Sequence, residues 1–409
     1  MSKQIGAMFA IFVCTTIAWI ILGSVITTRT QTQDSKLRGA VGMLWGTAQS
    51  QCAPDVYYIT TQEKKVTTYS GEEKIVETRI DTTRHPINVS GSNINVSISL
   101  EHRKKGLLWY PTYKVNFNAK YTITNNMDKE RNLYFDYWFP SAEGVYDNFY
   151  FMVDGIKTDE LKPVSGKLSN ILSFKPQQTR TIEINYNSQG MDEWWYLFGS
   201  SVSHIQNFNL TINTDFNRID FPENSISPTN KEKTKDGWKL TWQYTDLISG
   251  IQIGLKMPQK VNPGPFVSRV TFFAPVSLFL FLFLMFIITT LRGIKIHPMN
   301  YFFICAAFFS FHLLLAYLAD HIDINLALII SSLVSIFLVI SYMRLVVGIK
   351  FAFVETGVSQ LIYLVFFSYT FFLETFTGLV ITILCILTLF VVMQLTGKIE
   401  WSKQFKSSG

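Results

Sequence analysis

Histidine, cysteine and convergent carboxylates carry much of protein chemistry, and in this 409-residue sequence they are sparse. The polar stretch holds only His85, His102 and His204, none with a second His, Cys or carboxylate at the spacing of an H-E-x-x-H or C-x-x-C metal site. Of four cysteines, Cys14, Cys305 and Cys385 sit in apolar runs, which leaves Cys52 without an obvious partner and rules out a disulfide framework. There is no G-x-S-x-G elbow, no P-loop and no G-x-G-x-x-G. Asp192-Glu193 beside Trp194, Trp195 and Tyr196 imitates a carbohydrate site, with two carboxylates near stacking aromatics. Neighbours on a strand point to opposite faces, however, so the pair would not converge on one bond. The expectation is a protein that is not an enzyme and needs no cofactor or metal.

Two ionisable residues, His312 and Glu355, lie inside otherwise apolar runs. Such residues are functional candidates by default, because burying them in a bilayer is costly. His312 falls near the middle of its run and can stay neutral, bonding across to Ser331, Ser335 or Tyr369 as helix-packing glue. Glu355, five residues from Lys350, belongs at the membrane interface. A proton-coupled transporter would need paired acids, broken helices and two related halves; no repeat links spans 1 to 3 with spans 4 to 6.

The elements that carry these residues follow from composition. Hydrophobic residues make up 48% and charged residues 16%, against about 25% charged in an ordinary soluble domain, so much of the chain is membrane. Six charge-poor apolar windows are long enough to cross a bilayer as helices. The first, Gln4 to Thr28, is too long for the core of a cleavable signal and reads as an uncleaved anchor within residues 1–30. The other five are expected at 270–291, 298–319, 324–343, 353–373 and 375–397, in a block covering 263–401, with a tail at 402–409. The net charge of +6 does not lie on the polar stretch, where 26 basic residues from Ser35 to Lys260 nearly balance 25 acidic ones from Asp34 to Asp246. A nucleic-acid surface, which needs a concentrated basic face, is excluded; the implied partner is the lipid bilayer. Basic residues instead flank the spans: Lys3, Arg292, Lys295, Arg344, Lys350, Lys398, Lys403 and Lys406 alternate with loops holding Asp320, His321, Asp323 and Glu374. By the positive-inside rule both termini are cytoplasmic and residues of about 30–267 lie outside.

From Asn88 to Met257 the apolar period is 2, as in Val115, Phe117, Ala119, Tyr121 and Ile123, or Ile182, Ile184 and Tyr186. This pattern predicts strands with one buried face. Asp154-Gly155 and Asp236-Gly237 are hairpin dipeptides, and Asn125-Asn126 and Gln189-Gly190 are turn candidates. The fold class is therefore six membrane helices plus a large all-β, antiparallel, sandwich-like domain, read as β units at 51–190 and 191–262 with a boundary near Gly190. Leu37, Val41, Leu44 and Trp45 keep helical spacing, which predicts a stalk over residues 31–50. Val261-Asn262-Pro263-Gly264-Pro265 reads as a non-helical linker.

The membrane part carries a family resemblance. Leu291-Arg292-Gly293-Ile294-Lys295-Ile296-His297-Pro298-Met299-Asn300-Tyr301 resembles a loop and helix start of the CreD family of bacterial inner-membrane proteins. Asp320-His321 looks like that family's acidic-His pair, and Glu374 sits where the family has two acids, Thr375 replacing the second. Thr396-Gly397-Lys398-Ile399-Glu400-Trp401 is similar to its terminal motif, with Gly397 in place of Arg. Leu44-Trp45-Gly46 with Gln49 and Pro54 resembles its stalk. The resemblance implies a role in maintaining the cell envelope, with other envelope proteins as partners, and leaves oligomeric state open. Candidate functional residues are then His297, Pro298, Asn300, Tyr301, His312, Asp320, His321, Glu374 and Trp401. The plain physical reading of the first four is a helix start, with Pro298 in the first turn and Tyr301 at the headgroup level. Trp401 reads as a terminal anchor.

Overall fold

A computed structural model describes residues 2–70, 73–158, 161–199, 202–373 and 375–397. It divides into a membrane unit, Met1–Lys36 with Val261–Gly409, and a β unit, Leu37–Lys260.

Six helical segments in the described residues are long and apolar enough to cross a bilayer. They are α1 (Ser2–Trp45), α2 (Pro263–Leu291), α3 (Pro298–Leu318), α4 (Ile324–Val346), a fifth span (Ile349–Leu373) and a sixth (Thr377–Thr396). At 1.5 Å per residue α1 is about 66 Å long, more than twice the ~30 Å hydrocarbon thickness, so it is membrane span and stalk in one helix. The expected linker at 261–265 is shorter than the sequence suggested, because Pro263, Gly264 and Pro265 form the first turn of α2. Their missing or unpaired N–H groups cost nothing at that position. The first and sixth spans are the least buried, α2 and the fifth the most.

The fifth span is not a regular α-helix. Two π-helical stretches, Ala352–Gly357 and Leu361–Phe366, alternate with short α turns, and Thr370–Leu373 closes as a 3-10 turn. The Ser277 hydroxyl of α2 donates to the Tyr363 carbonyl inside the second π stretch. Wide turns of this kind shift which side chains face inward.

The β unit has an eight-stranded sheet in the order β13 (Asn230–Lys233), β14 (Trp238–Ser249), β12 (Ser203–Thr214), β4 (Gly91–Lys105), β5 (Leu108–Thr124), β10 (Thr179–Met191), β7 (Tyr146–Val153), β8 (Ile156–Lys157). A four-stranded sheet holds β3 (Glu73–Ile87), β2 (Asp55–Ser70), β6 (Arg131–Trp138) and β9 (Lys167–Phe174). A three-stranded one holds β1 (Gln49–Cys52), β11 (Glu193–Leu197) and β15 (Ile253–Lys256). Residues of all three sheets, among them Phe117, Ile184, Phe135, Trp194 and Leu255, meet in one buried cluster. Each such large apolar side chain contributes about 1.5–3 kcal/mol by leaving water.

The expected boundary near Gly190 does not divide this unit. β10 runs through Gln189-Gly190 without turning, and the eight-stranded sheet joins strands from both sides of it. Nor is the pairing wholly antiparallel, since β12 runs parallel to β4 and β1 parallel to β11. These pairs join strands about 100 residues or more apart, so no hairpin constrains their direction. Asp154 and Gly155 do make the β7–β8 turn, both with positive φ (53° and 81°).

Candidate functional site

In the membrane unit the candidate residues are set by how α3 meets its neighbours. His297 caps α3, its Nδ1 accepting from the Met299 amide at 3.3 Å, and Pro298 occupies the first turn. Asn300 accepts from the Tyr342 hydroxyl at 2.8 Å, and one turn-pair further the Ser335 hydroxyl donates to the Ala307 carbonyl at 2.7 Å. Both contacts fix one antiparallel register of α3 on α4. Tyr301 is buried.

Continuing that register brings Ser331 to the height of His312, yet the two do not bond: the buried Ser331 hydroxyl has no hydrogen-bond partner. The expected partners Ser331, Ser335 and Tyr369 are all missed. Ser335 is engaged by Ala307 and by Gln360 Nε2 at 2.9 Å, and Tyr369 is exposed against Phe372. His312, 1% exposed, lies instead among aromatic rings, with Trp19 of α1 at 5.3 Å and Phe311 at 4.9 Å between centroids. Its one hydrogen bond shown is Nδ1 to the Phe308 carbonyl at 3.4 Å. An imidazole bonding within its own helix frees α4 for the polar contact with Gln360, a residue the sequence reading passed over. Uncharged Gln360 sits in an apolar run, in the short α turn between the two π stretches of the fifth span.

Ion pairs close both ends of the bundle. Glu355 pairs with Arg292 at the end where α2 stops and α3 begins. At the other end Asp320 pairs with Arg29 of α1 at 2.7 Å. His321, next to Asp320, is exposed, so the two do not form a dyad. Asp323 caps α4 by accepting from the Asn325 amide at 2.9 Å, and that bond holds its carboxyl below the usual range. Glu374 and Trp401 lie outside the described residues.

In the β unit the stalk motif resolves into mechanics. Leu37, Val41 and Trp45 pack on Leu108, Tyr110 and Met191, while Leu44 points out. Arg103 stacks over Trp45 at 3.5 Å, and Arg38 pairs with Asp192 at 2.5 Å. Gly46 ends the helix with φ +89° and its amide on the Gly42 carbonyl at 2.8 Å. A Cβ there would stand 2.2 Å from the Gln189 carbonyl, so only glycine fits. Gln49 then donates to that same carbonyl at 2.8 Å and accepts from Ser188 at 2.9 Å.

The remaining chemistry candidates are spread apart. His204 contacts Asp246 at 2.5 Å, His102 the Pro258 carbonyl at 2.9 Å and His85 the Thr60 hydroxyl at 2.8 Å. Burial lowers the His102 pKa. Glu193 accepts from Trp195 Nε1 at 3.0 Å, while Asp192 faces Arg38, so the two carboxylates serve separate contacts. Among the described residues no group of three His, Cys, Asp or Glu could hold a metal ion.

The chain matches no curated protein. Among solved structures it is similar to a Legionella pneumophila protein described as a nutrient binding protein, 11% identical over 58% of this chain and 76% of that one, with a TM-score of 0.33. An M1 zinc metallopeptidase from Deinococcus radiodurans is 10% identical over 42% of each chain, with a TM-score of 0.22. Likeness at this level carries no functional argument. The family profile described as "Inner membrane protein CreD" matches residues 176–402, which include the α2–α3 loop with His297, Pro298, Asn300 and Tyr301, and more than half of the chain: this protein belongs to the CreD family of inner membrane proteins.

Proposed function

We propose that this protein is a non-enzymatic inner-membrane protein that supports cell-envelope integrity, with a periplasmic β unit that binds or scaffolds envelope components. The observation that carries the reading is the packing of His312. His312, in mid-span of α3, is enclosed by Trp19, Phe308 and Phe311, which suits an anchor better than a conduit. The orientation rests on the Lys and Arg of the Arg292–Lys295 and Arg344–Lys350 connections against Asp320 and Asp323 at the opposite end.

Cys52 is a poor reporter of orientation, because it is partly buried and burial raises its thiol pKa. A cysteine at exposed Glu63 (Glu63→Cys) is better placed. In cells with a permeabilised outer membrane it should react with a membrane-impermeant maleimide; reaction only after the inner membrane is opened would reverse the topology. The envelope role is tested by a deletion strain under detergent and envelope stress, with crosslinking from the β unit. Unchanged stress sensitivity would overturn it.

A second reading, a small-molecule or lipid-linked transporter or envelope sensor in the helix block, draws on the Ser331 hydroxyl and Gln360 Oε1, both buried without partners. Substrate uptake by the reconstituted protein would favour it.

A further inference from the structure

One face of the eight-stranded sheet is built from side-chain amides. Asn95, Asn118 and Asn185 stand side by side on β4, β5 and β10, and Ser97, Asn116 and Asn187 form the next row. Asn213 extends the second row onto β12, and Asn209 pairs with Asn93. The alternate residues on the same strands, such as Ile94, Phe117 and Ile184, are fully buried, so the core does not call for this face. Asparagine is disfavoured in strands, and solubility alone would be served by Thr, Lys or Glu. The accumulation of asparagine in the four central strands therefore asks for another cause.

The amides are held in place. Asn116 Nδ2 donates to Asn187 Oδ1 at 2.7 Å, Asn209 Nδ2 to Asn93 Oδ1 at 3.0 Å, and Asn118 Nδ2 to the half-buried Tyr150 hydroxyl at 3.0 Å. An amide offers two donors and two lone pairs, so each of these contacts leaves further donors and acceptors for a ligand. A bulge between Asn185 and Asn187, where Asn185 donates to the Asn148 carbonyl at 3.1 Å, re-aims the end of the rows. Beside them runs an open groove of about 620 Å³ that includes Asn116, Asn187 and Asn213.

We propose that this groove binds a neutral, hydroxyl- and acetamido-bearing glycan strand. The charges beside the amides decide the class. Lys114 is outnumbered by Asp147, Asp215 and Asp236, which disfavours phosphate, nucleic acid and anionic lipid. An extended peptide would add to a sheet edge through its backbone, whereas these residues lie on the central face. Sugar hydroxyls and acetamido groups match an array of amide donors and acceptors. The assignment rests on the reading of the β unit as a binding domain.

The test is a titration of the full-length protein in lipid nanodiscs, since sugar-headed detergents would compete, with the β-1,4-linked hexasaccharide of N-acetylglucosamine. Wild-type protein should bind saturably, with an affinity that changes less than about twofold as salt rises, because no ion pairs are exchanged. The triple variant Asn116→Thr, Asn187→Thr, Asn213→Thr should lose about tenfold or more in affinity while unfolding no more easily, threonine being the better strand residue. No binding by wild type, equal binding by a folded variant, or binding abolished by salt would each overturn the proposal. If the hexasaccharide is ignored while the deletion strain is stress-sensitive, the glycan site falls and the envelope reading stands; binding without an envelope phenotype does the reverse.

Discussion

Gln51 and Gln360 are both glutamines with no solvent exposure, one in the β unit and one in the membrane unit, and their surroundings treat the amide differently. Gln51 Nε2 donates to the Cys52 and Trp138 carbonyls at 2.7 and 3.1 Å, and Oε1 accepts from the Tyr186 hydroxyl at 2.8 Å. Gln49 and Asn125 are similarly engaged, Asn125 by the Lys129, Phe174 and Lys175 carbonyls and the Met127 amide. Gln360 Nε2 donates to Ser335, and its Oε1 has no hydrogen-bond partner. A strand leaves backbone groups at sheet ends for side chains to satisfy, so the β unit uses buried amides as ties between sheets. A helix satisfies its backbone internally, so buried polar side chains in the bundle are under no such demand.

The comparison is broken most easily at Gln51. Gln51→Leu would strand the Tyr186 hydroxyl and two carbonyls in the interior, and should cost about 3 kcal/mol or more, since each unsatisfied buried group costs about 1–3 kcal/mol. Denaturant unfolding followed by Trp fluorescence reads this directly; a loss below about 1 kcal/mol would mean that these ties are not needed.

Asp136 comes next. Burial alone would raise its pKa, but bonds from Lys167 at 2.9 Å, from Ser169 and from Tyr57 at 3.2 Å hold it below the ordinary 3.8. A lowered pKa means that its stabilisation is complete above the ordinary value and is lost as pH falls through the lower folded-state value. Asp136→Asn should cost about 2 kcal/mol at neutral pH, in the range for hydrogen bonds to a charged group. It should also flatten the acid limb of a stability-against-pH curve. An acid limb identical to wild type would show that Asp136 is not the group being titrated.

The sequence disclosed these regions unequally. Alternation such as Val115 to Ile123 announced β5 because one face of the sheet is buried. The hairpin of β2 and β3 was invisible: Thr60, Thr61, Gln62, Glu63 and Lys64 are paired strand with little to bury, so no period of 2 is written there. The membrane spans were legible from apolar length alone, but not the π stretches of the fifth, which leave no mark in composition. Gln360 is uncharged in an apolar run and carries no mark, and His312 bonds within its own helix where a partner on α4 was expected. The α3 cap was legible at His297-Pro298, because proline in a first helical turn has a fixed geometric meaning. Asp320 was legible as a charge, but not its partner Arg29, nearly 300 residues away.

His312→Phe sharpens the comparison from the membrane side. With Trp19, Phe308 and Phe311 around it and only a 3.4 Å contact to the Phe308 carbonyl, the ring acts mainly by packing. Phenylalanine should keep that packing, lowering the stability of the solubilised protein by about 0.6 kcal/mol, the average for an intramembrane hydrogen bond. Complementation of a deletion strain should persist. Loss of complementation with unchanged thermal stability would make His312 a functional group instead.

The smallest effect is expected at Gln360→Leu, and it is the most discriminating. Leucine removes the bond to Ser335, worth about 0.6 kcal/mol in a bilayer protein, and also removes a buried Oε1 that has no hydrogen-bond partner. Ser335 keeps its own bond to the Ala307 carbonyl, so no new group is stranded. The two changes oppose each other, and the net effect on thermal unfolding in detergent should stay within about 0.5 kcal/mol of zero. A loss of about 2 kcal/mol or more would mean that Oε1 is occupied in the membrane, by water or by a polar ligand. In that event the two glutamines would no longer differ in kind, and the polar seam from Ser331 to Gln360 would become the place to look for transport.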